Sequence, residues 1–168
     1  MLVNRTALVR AGGIESIHNE IIDDCALGRR LKAQGPIWLG LTERAVSLRP
    51  YPKIADIRRM VSRSAYAQLG YSPMILAGTV LGMMLLYIIP LAGLAMGGLA
   101  ALAGALAWAV MTLAFQPMLH FYRRSPLWGV ALPLIGVFYA AFTIDSAIQH
   151  WRGRGGMWKG RAQAIIPT

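Results

Sequence analysis

Residues 74–122 carry no Asp, Glu, Lys or Arg, and apolar and small side chains fill nearly the whole run. A helix rises about 1.5 Å per residue, so about 20 residues cross a hydrocarbon core of about 30 Å. The run is too long for one crossing and suits two. Pro90 and the Gly93–Gly98 region mark the break, which predicts spans over about 74–90 and 95–116. Gly78, Gly82, Gly97, Gly98 and Gly104 offer small positions where helices can approach closely. HFYRRSP (120–126) reads as a short polar loop, and Leu127 to Gln149 as a third apolar segment. Trp128 and Trp151 bracket that segment at about the separation of two interfaces. Asp145 falls inside it, near its end. An acid at that place is either a functional group within the membrane or a hydrated interfacial one.

The pattern before residue 73 is different. LVNRTALVRAGGI suits a short strand or helix running into a turn at Gly12–Gly13. Residues 14–34 have helical character, with Asp24, Leu27 and Leu31 at helical spacing and Gly35-Pro36 as the stop. IWLGL (37–41) reads as a short apolar strand and RPYP (49–52) as a rigid turn. Together these predict an α/β fragment too small to close a covered sheet. Residues 54–69 predict an amphipathic helix, with Ile54, Ile57, Val61, Ala65 and Leu69 on one face. Arg58, Arg59, Arg63 and Gln68 lie mostly off that face, as in a helix resting in the membrane interface. The expected layout is a partial catalytic domain over 1–52 and an interfacial helix over 53–72. A membrane region over 73–150 (about 74–90, 95–116 and 127–149) and a basic tail over 151–168 follow, mainly α overall.

Composition strengthens the membrane reading. Apolar types make up 56% of the chain and charged types 14%, against about 25% in ordinary soluble domains. The net charge of +10 is placed beside the apolar segments. Arg58, Arg59 and Arg63 precede the first, Arg123 and Arg124 lie between segments, and Arg152, Arg154, Lys159 and Arg161 follow the last. Such flanks suit anionic membrane lipids as partners and not nucleic acid. They also set a conflict. Two spans return the chain to the side where it started, so a third full span places the basic tail on the opposite side. Either the positive-inside tendency fails here, or one segment is re-entrant or interfacial. Cys25 is the single cysteine, and His18, His120 and His150 are scattered, so no metal site is read from spacing.

A Gly-Gly turn, the acidic pair in IDDCAL, an apolar strand, an arginine-bearing helix and then several spans make a recognisable order. It resembles the C-terminal half of membrane-bound family-2 glycosyltransferases, which have a GT-A catalytic domain. The wording IDDCALGRRLKAQG, SLRPYP and RMVSRSAYAQL, with the ending RGRGGMWKGR, looks most like the hopanoid-biosynthesis branch. The resemblance implies that Asp23, Asp24 and Leu27 form the acidic motif, with Asp24 as the general base toward an acceptor hydroxyl. It implies that Gly12 and Gly13 shape an acceptor pocket. Of the related Gln-x-x-Arg-Trp signature, Met60-Val61-Ser62-Arg63-Ser64 keeps the arginine, so Arg63 would face a donor diphosphate. The family uses a divalent cation, Mg or Mn, on an Asp-x-Asp motif that this sequence does not contain. The chain is therefore expected to be the C-terminal portion of an enzyme that is inactive without its nucleotide-binding half. That enzyme would pass a sugar from a nucleotide sugar to a lipid or membrane-proximal acceptor. Its place would be the bacterial inner membrane, multi-pass, with the catalytic part facing the cytoplasm. The alternative from another class is a non-enzymatic membrane-anchoring subunit that binds a partner protein.

Overall fold

The computed structural model describes residues 1–44, 48, 50–158, 161 and 162, and they are mainly helical. Helix α1 spans Arg5–Arg10 and starts at Asn4, whose side chain accepts hydrogen bonds from the amides of Thr6 and Ala7. A 3-10 turn, Glu15–Ile17, leads to α2, Asp23–Gln34, which ends at Gly35. Residues 37–42 are irregular, and Ile37, Trp38, Leu39 and Leu41 are exposed. The expected α/β fragment over 1–52 is therefore corrected: its described residues hold two helices and a helical turn, and no strand. IWLGL has the composition of a strand, but no described neighbour offers the backbone partners that a strand requires. Arg49, in the expected RPYP turn, lies outside the described residues, as do Lys159, Gly160 and residues 163–168 of the basic tail.

Helix α3 is Ile54–Gln68, and the carboxylate of Asp56 accepts from the Lys53 amide to close its first turn. Its chain leaves through Gly70 and Tyr71, both at positive φ. Helix α4 (Pro73–Met83) then starts at Ser72, whose hydroxyl accepts from the Ile75 amide. It runs through a π-turn, Met84–Ile88, into α5, Ile89–Met96. The break expected at Pro90 does not occur there. Proline lacks an amide proton and its ring crowds the carbonyl one turn back. The wider π-turn just before Pro90 gives that carbonyl room, so the helix continues. The break falls at Gly97 and Gly98, with φ of 73° and 57°, which a side chain would disfavour. Helix α6 is Gly98–Phe121, α7 is Leu127–Val130 and α8 is Leu132–Trp151. A two-residue antiparallel pair follows, β1 (Met157–Trp158) with β2 (Arg161–Ala162).

Among the described residues, three helical segments are long and apolar enough to cross a membrane: Pro73–Met96, Gly98–Phe121 and Leu132–Trp151. The first two form an antiparallel hairpin. A Cβ on Gly93 would lie 2.9 Å from the Ala100 carbonyl oxygen, and one on Gly104 would collide with the Pro90 carbonyl. Of the glycines singled out for packing, Gly104 does pack. Gly78 and Gly82 face open space, and Gly97 and Gly98 make the turn. Helix α8 runs antiparallel to α4–α5. Gly136, one turn into α8, stands against the Tyr87 ring, while Ala147, one turn from its end, shares a buried cluster with Leu76 and Tyr66. Being antiparallel to the same partner, α6 and α8 point the same way.

Candidate functional site

The polar residues of α3 at positions 58, 62 and 66 recur every four positions, so they form one stripe on the helix. That stripe meets Asp145, Ser146 and His150 on α8. The Arg58 guanidinium donates to both Asp145 oxygens, Nε to Oδ2 at 3.1 Å and Nη2 to Oδ1 at 2.9 Å. The Ser62 hydroxyl donates to Asp145 Oδ2 at 2.7 Å, and the Tyr66 amide donates to Ser146 Oγ at 3.0 Å. Two-point contact with a carboxylate is the strong arrangement for arginine. It also holds the Arg58 guanidinium above its ordinary range, first through the hydrogen bond and then through the charge of Asp145.

Helix α3 is thus docked on α8 through polar contacts. Of its expected apolar face, Val61 is buried, Ile57, Ala65 and Leu69 are half-buried, and Ile54 is exposed. Arg58 is held by Asp145, and Arg59 pairs with Asp56.

Tyr66, Tyr71, His150 and Trp151 gather where α3 meets the end of α8. Tyr71 stacks on His150 at 4.5 Å, and Tyr66 meets Tyr71, His150 and Trp151 edge-on. Tyr66 also donates its hydroxyl to the Tyr71 carbonyl at 2.7 Å. These contacts hold Tyr71 at φ 56°, a backbone state unusual for a bulky residue. Burial pushes the Tyr71 phenol up, and the negative charge of Glu20 adds to the shift. Glu20 lies three residues before α2, so its charge bears on this cluster from the N-terminal unit.

The residues expected to act are placed as follows. Asp23 and Asp24 open α2 and are exposed. Asp24 Oδ1 accepts from the Cys25 amide at 2.8 Å, and Asp23 Oδ1 accepts from the Asp24 amide at 3.0 Å. Leu27 is half-buried, and Leu31, further along α2, is buried. Gly12 and Gly13 end α1 at φ of 92° and 69°. A Cβ on Gly12 would meet Ser16, whose carbonyl accepts from Arg30 of α2 at 3.0 Å. The Gly-Gly turn and α2 therefore belong to one small unit, while Arg63 sits half-buried on α3. The missed residues are Ser62, Tyr66, Tyr71 and His150. Their signal was the four-residue polar repeat on α3 facing an equivalent one on α8. Among the described residues, no three His, Cys, Asp or Glu side chains converge as a metal site would need. The divalent ion implied by the resemblance has no fitting ligand set among the described residues.

The fold and site define a membrane-associated helical protein that carries an exposed acidic pair on a small N-terminal helical unit. Residues 1–162 match the model of Glycosyl transferase family 21, and the chain belongs to that family. The match covers nearly the whole chain and supports the coarser expectation of a glycosyltransferase. No curated protein and no solved structure matches the chain. Family membership makes sugar transfer the chemistry at issue.

Proposed function

We propose that this chain supplies the acceptor side of a glycosyltransferase that moves a sugar from a nucleotide sugar onto a lipid or membrane-proximal hydroxyl. The observation that carries this reading is the family match over residues 1–162 together with three helices suited to a membrane. In this reading Asp24 takes the proton from the acceptor hydroxyl as it attacks the anomeric carbon. The leaving nucleoside diphosphate departs with the bond's electron pair. Three features support the role: Asp24 is exposed, fixed at the first turn of α2 by the Cys25 amide, and backed by Asp23. A general base must lie within hydrogen-bond reach of the proton that it removes, and contributes about 10²–10⁴-fold.

Gly12 and Gly13, tied to α2 through Ser16 and Arg30, would form the floor of the acceptor pocket. Arg63, on the helix docked against α8, would offer positive charge to the donor diphosphate. The sequence contains no Asp-x-Asp, so the nucleotide half of the reaction would use residues beyond this chain, and the chain would be inactive without them. The basic flanks support a cytoplasmic placement of the catalytic side.

The test is sugar transfer by membranes containing the full-length gene product. Asp24→Asn should lower kcat by about 10²–10⁴-fold while leaving binding of the nucleotide sugar unchanged. Turnover near that of the unaltered enzyme would remove Asp24 from the mechanism. Arg63→Ala should instead weaken nucleotide-sugar binding.

A further inference from the structure

We propose that the α7–α8 hairpin is re-entrant. It enters and leaves the bilayer through the face that carries α3, so that the basic segments around it meet one anionic leaflet. The directions of the helices lead to this. Helix α4–α5 leaves the α3 face, and α6 returns to it, since Gly93 meets Ala100 and Gly104 meets Pro90. Arg123 and Arg124, just past α6, therefore stand at the α3 face. The end of α8 stands there too, because Asp145 holds Arg58 and Ser146 holds the Tyr66 amide. A chain that is at the same face at residue 124 and at residue 151 has not crossed between them.

The depth of the excursion is considerable. Gly136 lies against Tyr87, which is 14 residues, or about 21 Å of helix, beyond Pro73. The chain must rise to that depth within the few residues after Arg124, and it does so along α6. Backbone that is not in a long helix survives at membrane depth only where protein satisfies its polar groups. Helix α6 supplies those groups in sequence. Gln116 donates to the Pro126 carbonyl at 3.2 Å, Thr112 to the Gly129 carbonyl at 3.2 Å and Trp108 to the Val130 carbonyl at 3.1 Å. Gly129 is buried in this contact, and a Cβ there would lie 2.6 Å from Gln116 Nε2. The mouth of the hairpin is an open cavity of about 480 Å³, with Leu113, Pro117 and Leu119 along it and His120 and Arg124 among its polar residues.

Charge agrees with this path. With α8 re-entrant, Arg58, Arg59, Arg123, Arg124, Arg152 and Arg154 lie at one face. The turn on the other side, at Met96–Leu99, has no charged residue. A one-sided collar of arginines fits an anionic leaflet.

The experiment uses the unaltered full chain in sealed vesicles of phosphatidylcholine, with trypsin added outside. Each molecule should be cut at both Arg123–Arg124 and Arg152–Arg154, or at neither, according to its orientation. Molecules cut at one pair and fully protected at the other would overturn the re-entrant path. Two single-cysteine chains in a Cys25→Ser background give an independent reading. Arg154→Cys should react with an impermeant maleimide from the side opposite to Met96→Cys, and reaction of both from one side would also overturn it. Adding phosphatidylglycerol to the vesicles should slow cutting at both arginine pairs together. Unchanged rates would remove the contact with the anionic leaflet.

Discussion

Arg58 and Asp145 are 87 positions apart and form a two-point ion pair, with Ser62 donating to the same carboxylate. The pair fixes α3 on the end of α8 and so sets the orientation of the one helix that lies between the N-terminal unit and the membrane segments. Removing either partner leaves the other without its counter-charge. Arg58→Ala and Asp145→Asn should each lower the unfolding temperature in detergent. The exchanged pair, Arg58→Asp with Asp145→Arg, should recover part of the loss. A thermal melt of the four proteins measures the coupling, and strictly additive losses would dissolve the pair as a unit.

A second consequence concerns alkaline pH. The Tyr71 phenol is pushed above its ordinary value by burial and by Glu20. A raised folded-state value means that the folded protein holds this proton more tightly than the unfolded chain. The associated stability is fully present below the unfolded value of about 10. It is lost as pH rises through the higher folded value. Melts between neutral pH and pH above about 10 should show this loss in the unaltered protein and a smaller one in Tyr71→Phe. Glu20→Gln should make the loss smaller, because removing the nearby negative charge brings the folded value closer to the unfolded one.

The glycines of the membrane hairpin separate in the same kind of measurement. A Cβ at Gly104 meets the Pro90 carbonyl, and backbone cannot move aside as a flexible side chain can. Gly104→Ala should therefore destabilise by about 1–3 kcal/mol, as overpacking does. At Gly78 a Cβ meets nothing within 4 Å. Gly78→Ala should be neutral or stabilise by up to about 1 kcal/mol, the usual helix preference for alanine. Equal effects at the two positions would contradict the close approach of α5 and α6.

Much of this arrangement was legible in the chain, for identifiable reasons. The absence of charge over 74–122 defined the membrane hairpin, because a charged side chain there is costly. The position of its break was legible only as a region, and it falls at Gly97 and Gly98 within the expected Gly93–Gly98 stretch. Pro90 and Gly97 both read as breakers, and the π-turn that absorbs Pro90 depends on helix geometry and not on composition. IWLGL read as a strand because strand propensity is local, while a strand's existence depends on a partner. The acidic pair Asp23–Asp24 was visible, and the family match supports sugar transfer. The Arg58–Asp145 pair joins residues that were each conspicuous, an arginine before the spans and an acid inside one. Their union required the fold, since no local spacing links positions 87 apart. The direction of α8 was equally hidden, although the charge pattern had already shown that three full crossings fit poorly.

Thr112 and Gln116 are the polar side chains of an otherwise apolar stretch of α6, and both donate to carbonyls of the segment that opens the α7–α8 hairpin. A buried carbonyl deprived of its donor costs about 1–3 kcal/mol. Thr112→Val keeps the shape of the side chain and removes the donor to Gly129, so it should destabilise by an amount in that range. Thr112→Ser keeps the donor and should cost less. Gln116→Leu removes the donor to Pro126 and should act in the same direction. The local readout is amide hydrogen exchange over residues 127–132. Exchange there should quicken in Thr112→Val and Gln116→Leu and stay near that of the unaltered protein in Thr112→Ser. A uniform change across α6 and α8 in all three would mean that the hydroxyl and amide serve general packing and not the carbonyls of the hairpin.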